Sequence, residues 1–149
     1  MNELENIEIE RCFKTKEGNI FIFTDASELG YAAIAYYVSK LTPHAKLIAC
    51  KTKVAPLTSL SVPRLELLAA ELGIKLAKKL EKSLKIEIMK MTFWTDSLDV
   101  LGWISNRSRY FGPFVANRVG FIQESVNISQ WKYIESKITQ LTCFLEGKQ

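Results

Sequence analysis

The sequence has a single histidine and only three cysteines. His44 lies in a polar Thr-Pro-His turn and has no catalytic partner at a recognisable spacing. Cys12, Cys50 and Cys143 are odd in number and far apart, and no two of them have zinc-finger spacing. These absences exclude a disulfide scaffold and a structural zinc site, and they favour a reducing, intracellular setting, cytoplasmic or nuclear. Any enzyme chemistry is expected to use carboxylates, hydroxyls or metal rather than histidine.

Long apolar runs are also missing. The longest extends only from Tyr31 to Val38, far short of the roughly 20 residues that span a bilayer, and the first residues are acidic where a signal peptide is basic. We therefore expect no membrane partner. No repeat or Gly/Ser/Pro-rich linker divides the 149 residues. The sequence thus predicts one domain over residues 1–149, with residues 1–18 as a lead-in segment.

Composition and charge are those of an ordinary globular domain. Hydrophobic residues make up 48% of the chain and charged residues 24%, which argues against disorder or a coiled coil. The net charge of +4 permits a polyanionic partner without requiring one.

Three strands are predicted in the first part of the chain. The segment from Asn19 to Asp25 is a continuous apolar run, which suits a strand covered on both faces. Tyr31–Val38 and Lys46–Val54 follow as further strands in an antiparallel meander. Ser61 is then a candidate cap for a helix that ends near Ser83, with proline in its first turn.

Strands and helices then alternate to the C-terminus. The predicted elements are a strand at Ile86–Thr95, helices at Leu98–Ser105 and Pro113–Ser125, a strand at Trp131–Ile134 and a last helical turn or two at Gln140–Glu146. This order predicts an α/β fold with a mixed five-stranded sheet, three antiparallel strands followed by parallel additions, flanked by helices.

Glu66 lies on the wrong side of its helix for a surface acid. At about 100° per residue it falls within the apolar arc, whereas Glu71 lies on the opposite face with four lysines, which we interpret as solvated surface. A buried carboxylate needs a cation, a metal or hydrogen bonds beside it. The arc is formed by Leu65, Ala69, Ala70, Leu72, Gly73, Leu76, Ala77 and Leu80.

Two further acids end the two most apolar strands. Asp25 and Asp96 follow such strands directly, and strand-end acids can converge with an acid on a neighbouring helix. Three carboxylates repel one another unless a divalent cation lies among them, and hard oxygen ligands suit Mg²⁺ or Mn²⁺. Each acid also has a structural alternative: Asp25 as the cap of a turn, Asp96 as the N-cap of the next helix, and Glu66 as the partner of Arg64 or a lysine.

Four segments resemble the ribonuclease H-like domain in the polyproteins of Bel/Pao long-terminal-repeat retrotransposons. They are Phe23–Ser27, Val62–Leu67, Phe93–Ser97 and Pro113–Arg118, and the likeness extends from about Ile9 to the C-terminus. The resemblance implies a ribonuclease H fold and hydrolysis of the RNA strand of an RNA–DNA hybrid.

The same resemblance implies roles for the three acids. Asp25 would bridge two Mg²⁺ or Mn²⁺ ions, while Glu66 and Asp96 would hold the ion that stabilises the leaving oxygen. A fourth family acid is replaced here by Thr142, a neutral and weak ligand, so a damaged site is expected. Glu146 and Asp99 are alternative acids for that position, although both also fit a surface role.

Arginines that suit a phosphate backbone follow the fourth predicted strand. Arg107 and Arg109 are the candidates for nucleic-acid contact, and the lysines of the Glu66 helix are interpreted as solvated surface. Two functions remain open. One is a divalent-metal ribonuclease acting on RNA–DNA hybrids, and the other is a retrotransposon-derived domain whose catalysis has decayed and which binds nucleic acid or a protein partner.

Overall fold

The computed structural model describes residues 18–40 and 44–135. Their strands and helices follow the predicted order. The strands are β1 (Gly18–Ala26), β2 (Gly30–Ser39), β3 (Ala45–Val54), β4 (Thr92–Thr95) and β5 (Trp131–Tyr133), and the helices are α1 (Val62–Leu84), α2 (Leu98–Ile104) and α3 (Pro113–Ser125). Over these residues no helix is both long and apolar enough to cross a membrane.

The five strands form one mixed sheet in the order β3-β2-β1-β4-β5. β2 pairs antiparallel with both β1 and β3, whereas β4 pairs parallel with β1 and with β5. The predicted architecture is therefore confirmed. The parallel pairing matters for the site, because it brings the carboxyl ends of β1 and β4 to the same edge of the sheet.

The predicted strand at Ile86–Thr95 is wrong in its first half. Ile88–Lys90 forms a 3-10 turn, and the strand begins only at Thr92. Side chains occupy the backbone groups that a strand would need: the Glu81 carboxylate accepts from the Ile88 N–H, and Gln130 Nε2 donates to the carbonyls of Ile88 and Met91 at 2.9 Å each. The turn is thus fixed by side-chain hydrogen bonds that apolar patterning does not reveal.

Helix ends are close to the predictions. α3 has the predicted bounds, and α1 follows Ser61 with proline in the first turn, although the Ser61 side chain makes no capping hydrogen bond. The last strand ends one residue earlier than predicted, at Tyr133. The helical segment predicted at Gln140–Glu146 lies outside the described residues.

α1 is buried on more sides than the sequence indicates. Every residue of its predicted apolar arc is buried, and so are Leu67 and Ile74. The helix packs on β1 and β2 and also against α3. Glu71 is consequently not the solvated surface acid that the sequence predicts. It is half-buried, and its carboxylate lies 3.3 Å from Arg118 Nε and 3.0 Å from Lys75 Nζ.

Candidate active site

The ends of β1 and β4 place two acids side by side. Thr24 of β1 is paired in parallel register with Thr95 of β4, and both threonines are buried. Asp25 and Asp96 follow them directly on adjacent strands, whose backbones are about 4.8 Å apart. The two carboxylates therefore lie at the same edge of the sheet, as the sequence predicts.

Glu66 reaches the same edge from the start of α1. It is half-buried, and this burial raises the pKa of Glu66 above its ordinary value. A hydrogen bond with the Ser97 side chain lowers the pKa, and the charges of Asp96, Asp99 and Asp25 raise it further. Glu66 therefore lies close enough to both strand-end acids to feel their charges.

The two aspartates have the same electrostatic character. Burial raises the pKa of Asp25, the nearby charge of Asp96 raises it further, and the Ala26 N–H lowers it. Burial also raises the pKa of Asp96, opposed by a hydrogen bond from its own backbone N–H. Among the described residues the ion pairs both involve Glu71, so no cation pairs with these three acids there.

The two aspartates do not have the capping roles considered as structural alternatives. Ser97, not Asp96, is the N-cap of α2, and its Oγ accepts from the Val100 N–H at 3.2 Å. The turn after β1 is closed by backbone hydrogen bonds between Ser27 and Gly30, while Asp25 Oδ1 accepts a hydrogen bond from the adjacent Ala26 N–H.

Glu66 is also without the basic partner considered for it. Arg64 instead places its guanidinium over the ring of Phe114, 5.3 Å from the centroid. Over the described part of the chain, neither Arg64 nor a lysine forms an ion pair with Glu66.

The chemistry of the three acids suits a divalent cation, but their placement does not form a ready-made metal site. Hard carboxylate oxygens are the ligands that Mg²⁺ and Mn²⁺ prefer, and the mutual repulsion here favours a cation. However, residues 18–40 and 44–135 include no group of three or more histidine, cysteine, aspartate or glutamate side chains placed to hold a metal ion. The expected two-ion site is thus not preformed in this part of the chain, and the acids would have to draw together around an ion.

A shallow groove of about 390 Å³ opens beside Asp25. It runs between β1, β2 and β3, and Ser27, Gly30, Tyr31 and Lys53 are among the residues that line it. Gly30 is required here, because a Cβ at this position would lie 2.6 Å from the Lys53 carbonyl oxygen. Of the three acids, Asp25 lines this groove.

Other predicted site residues lie apart from this edge or outside the described chain. Arg107 and Arg109 are exposed in the segment after α2, and Arg109 stacks 5.6 Å from the Tyr110 ring centroid. Thr142 and Glu146 lie outside the described residues. Sequence reasoning did not single out Ser97, although a serine directly before a helix, following a strand-end acid, is the signal that could have identified it.

Comparison with known proteins places this fold. Residues 1–97 match the family described as the Pao retrotransposon-like RNaseH-like domain. The structure is similar to RNase H1 of the halophilic archaeon Halobacterium salinarum NRC-1, with a TM-score of 0.53 and 10% identity over 83% of this chain and 89% of that one.

A second similar structure is a fusion protein with maltose-binding protein that carries the N-terminal RNase H domain of Rv2228c from Mycobacterium tuberculosis. The TM-score is 0.51 at 16% identity, over 80% of both chains. A comparison with curated protein sequences found no significant match. The two structural likenesses support an RNase H-like fold, and by the family match the chain belongs to the Pao retrotransposon-like RNaseH-like domains.

Proposed function

We propose that this domain hydrolyses the RNA strand of RNA–DNA hybrids, with Asp25, Glu66 and Asp96 as its catalytic carboxylates. The observation that carries the proposal is their electrostatic coupling: Asp96 raises the pKa of both other acids, and Asp25 raises that of Glu66. Acids with raised pKa values that lie together, one of them beside a groove, are candidates for a functional site. The structures similar to this chain include an RNase H1 and an RNase H domain, which supports the same reaction class.

The chain's own contribution is to hold negative charge at one edge. Asp25 and Asp96 directly follow paired residues of two adjacent strands, and Ser97 forms a hydrogen bond with Glu66. When bound, Mg²⁺ or Mn²⁺ would activate water and stabilise the leaving oxygen. In the reaction, the water oxygen forms a bond to phosphorus, the bond from phosphorus to the 3′ oxygen breaks, and that oxygen takes up a proton.

A cleavage assay tests the proposal. Labelled RNA–DNA hybrid is incubated with the protein in Mg²⁺ or Mn²⁺, alongside Asp25→Asn and the control Glu124→Gln, which removes an exposed charge on α3. We expect cleavage of the RNA strand by the parent and the control, with a loss of at least about 100-fold for Asp25→Asn. No cleavage by the parent, or equal cleavage by all three, would contradict it.

A second candidate is a catalytically decayed domain that binds nucleic acid or a protein partner. The lack of a preformed three-acid metal group in the described residues favours it, and so does Thr142 in the place of the fourth family acid. Thr142→Asp separates the two candidates. A gain in cleavage and in Mn²⁺ affinity would show that the fourth position limits an otherwise working site, whereas hybrid binding without cleavage by either protein would support decay.

A further inference from the structure

Three lysines from two elements meet beside the groove. Lys51 and Lys53 lie on β3, where they are paired with Ala33 and Tyr31 of β2. Lys79 of α1 is in side-chain contact with Lys51. This lysine cluster, defined as Lys51, Lys53 and Lys79, is partly or fully exposed.

The cluster is a concentration of uncompensated positive charge. Contact with Lys79 lowers the pKa of Lys51, and the charge of Lys53 lowers it further. Within the described ranges no ion pair involves any of the three. Like charges held together destabilise the free protein, and a bound polyanion would remove that repulsion.

The cluster continues the groove that begins at Asp25. Lys53 lines the same groove as Asp25, and Lys51 is two residues further along β3, about 7 Å away on the same face of the strand. We propose that the lysine cluster binds the phosphate backbone of a nucleic acid that extends past the carboxylate edge. That the bound nucleic acid is cleaved at the carboxylate edge rests on the proposed function, whereas its binding to the lysine cluster does not.

Protection of the sheet edge explains only part of this arrangement. β3 is an edge strand, and lysines on edge strands prevent pairing with other chains. Lys46 at the other end of β3 serves that purpose equally well. Lys79 is on a helix, so its position against Lys51 is not required for edge protection.

Binding to RNA–DNA hybrid is measured in metal-free buffer over a range of salt concentrations, so that cleavage does not contribute. The test protein is Lys51→Gln/Lys53→Gln/Lys79→Gln. Because each phosphate contact contributes about 0.9 to the slope of log affinity against log salt for a duplex, we expect the slope to fall by about 2 to 3. Lys79→Gln alone should lower it by about 1 and serves where the triple variant does not fold.

The matched control carries the same charge change at the opposite end of the sheet. Lys40, Lys46 and Lys90 are exposed there, and Lys40→Gln/Lys46→Gln/Lys90→Gln should leave the slope near that of the parent. Equal slopes for both triple variants would overturn the proposal, and so would a cluster variant that binds hybrid normally while losing an acidic protein ligand. The two proposals fail in different ways. If only the proposed function is wrong, the parent protein does not cleave the hybrid, but the salt slope of its binding still depends on the lysine cluster.

Discussion

Gly73 of α1 lies directly against Thr24 of β1. A Cβ at residue 73 would come within 2.8 Å of Thr24 Cγ2, closer than any normal contact. Thr24 cannot turn away freely, because its Oγ1 donates to the Trp94 carbonyl at 3.2 Å and so links β1 to β4. The contact between Gly73 and Thr24 therefore sets the distance between α1 and the sheet, next to Asp25 in the sequence.

Gly73→Ala should destabilise the domain. Alanine favours the helix by about 1 kcal/mol relative to glycine, but overpacking against a buried β-branched side chain costs about 1–3 kcal/mol. We expect a net loss of about 1 kcal/mol and a fall in Tm of about 2–4 °C, measured by thermal unfolding.

Gly102 of α2 provides the matched control. A Cβ there meets no atom within 4 Å, so Gly102→Ala should gain helix propensity without a clash and raise the Tm slightly. If both variants were stabilised equally, the close contact at Gly73 would not constrain the helix.

Ser97→Ala should lower the stability of the domain and raise the pKa of Glu66. The change removes the cap on the Val100 N–H, worth about 1 kcal/mol, and the hydrogen bond that lowers the pKa of Glu66. We expect a lower Tm and a higher Glu66 pKa, followed by carboxyl NMR during a pH titration. Ser61→Ala is the control, because Ser61 is also an N-cap residue but makes no capping hydrogen bond, and it should change neither.

Patterning predicts the parts of this fold that depend on local chemistry. The apolar arc of α1 and the bounds of α3 follow from helical periodicity and from proline in the first turn. The turn at Ile88–Lys90 and the burial of Glu71 depend instead on residues about 40 or more positions away, Gln130 and Arg118. The same limit applies at the site. Asp25 and Asp96 could be located from the strand ends, but the hydrogen bond between Ser97 and Glu66 could be found only in the folded structure.

Arg107 and Arg109 should contribute to nucleic-acid affinity without supporting the fold. Both are exposed, whereas Arg118 covers the Phe114 ring at 3.8 Å and pairs with Glu71. Arg107→Gln/Arg109→Gln should lower the salt slope of hybrid binding by up to about 2 with little change in Tm. Arg118→Gln should show the reverse pattern, a lower Tm with the salt slope retained, and a swapped result would assign the phosphate contact to α3.

Asp96→Asn should stabilise the metal-free protein at neutral pH. Because the folded state raises the pKa of Asp96 above 3.8, as well as those of Asp25 and Glu66, these acids favour folding below their unfolded pKa values. That contribution is lost as the pH rises through the raised values. Asparagine removes the half-buried charge at residue 96 and its repulsion of the other two acids.

The pH dependence of that gain is what tests the coupling. Thermal unfolding without divalent cations should give a Tm for Asp96→Asn above that of the parent at pH 7, with the difference shrinking as the pH falls toward 3.8, where the parent acids become protonated in both states. Glu124→Gln controls for the loss of one exposed negative charge and should show no comparable gain at pH 7. A gain for Asp96→Asn that persists unchanged at low pH would mean that packing rather than charge is responsible, and the three carboxylates would then not form one electrostatic unit.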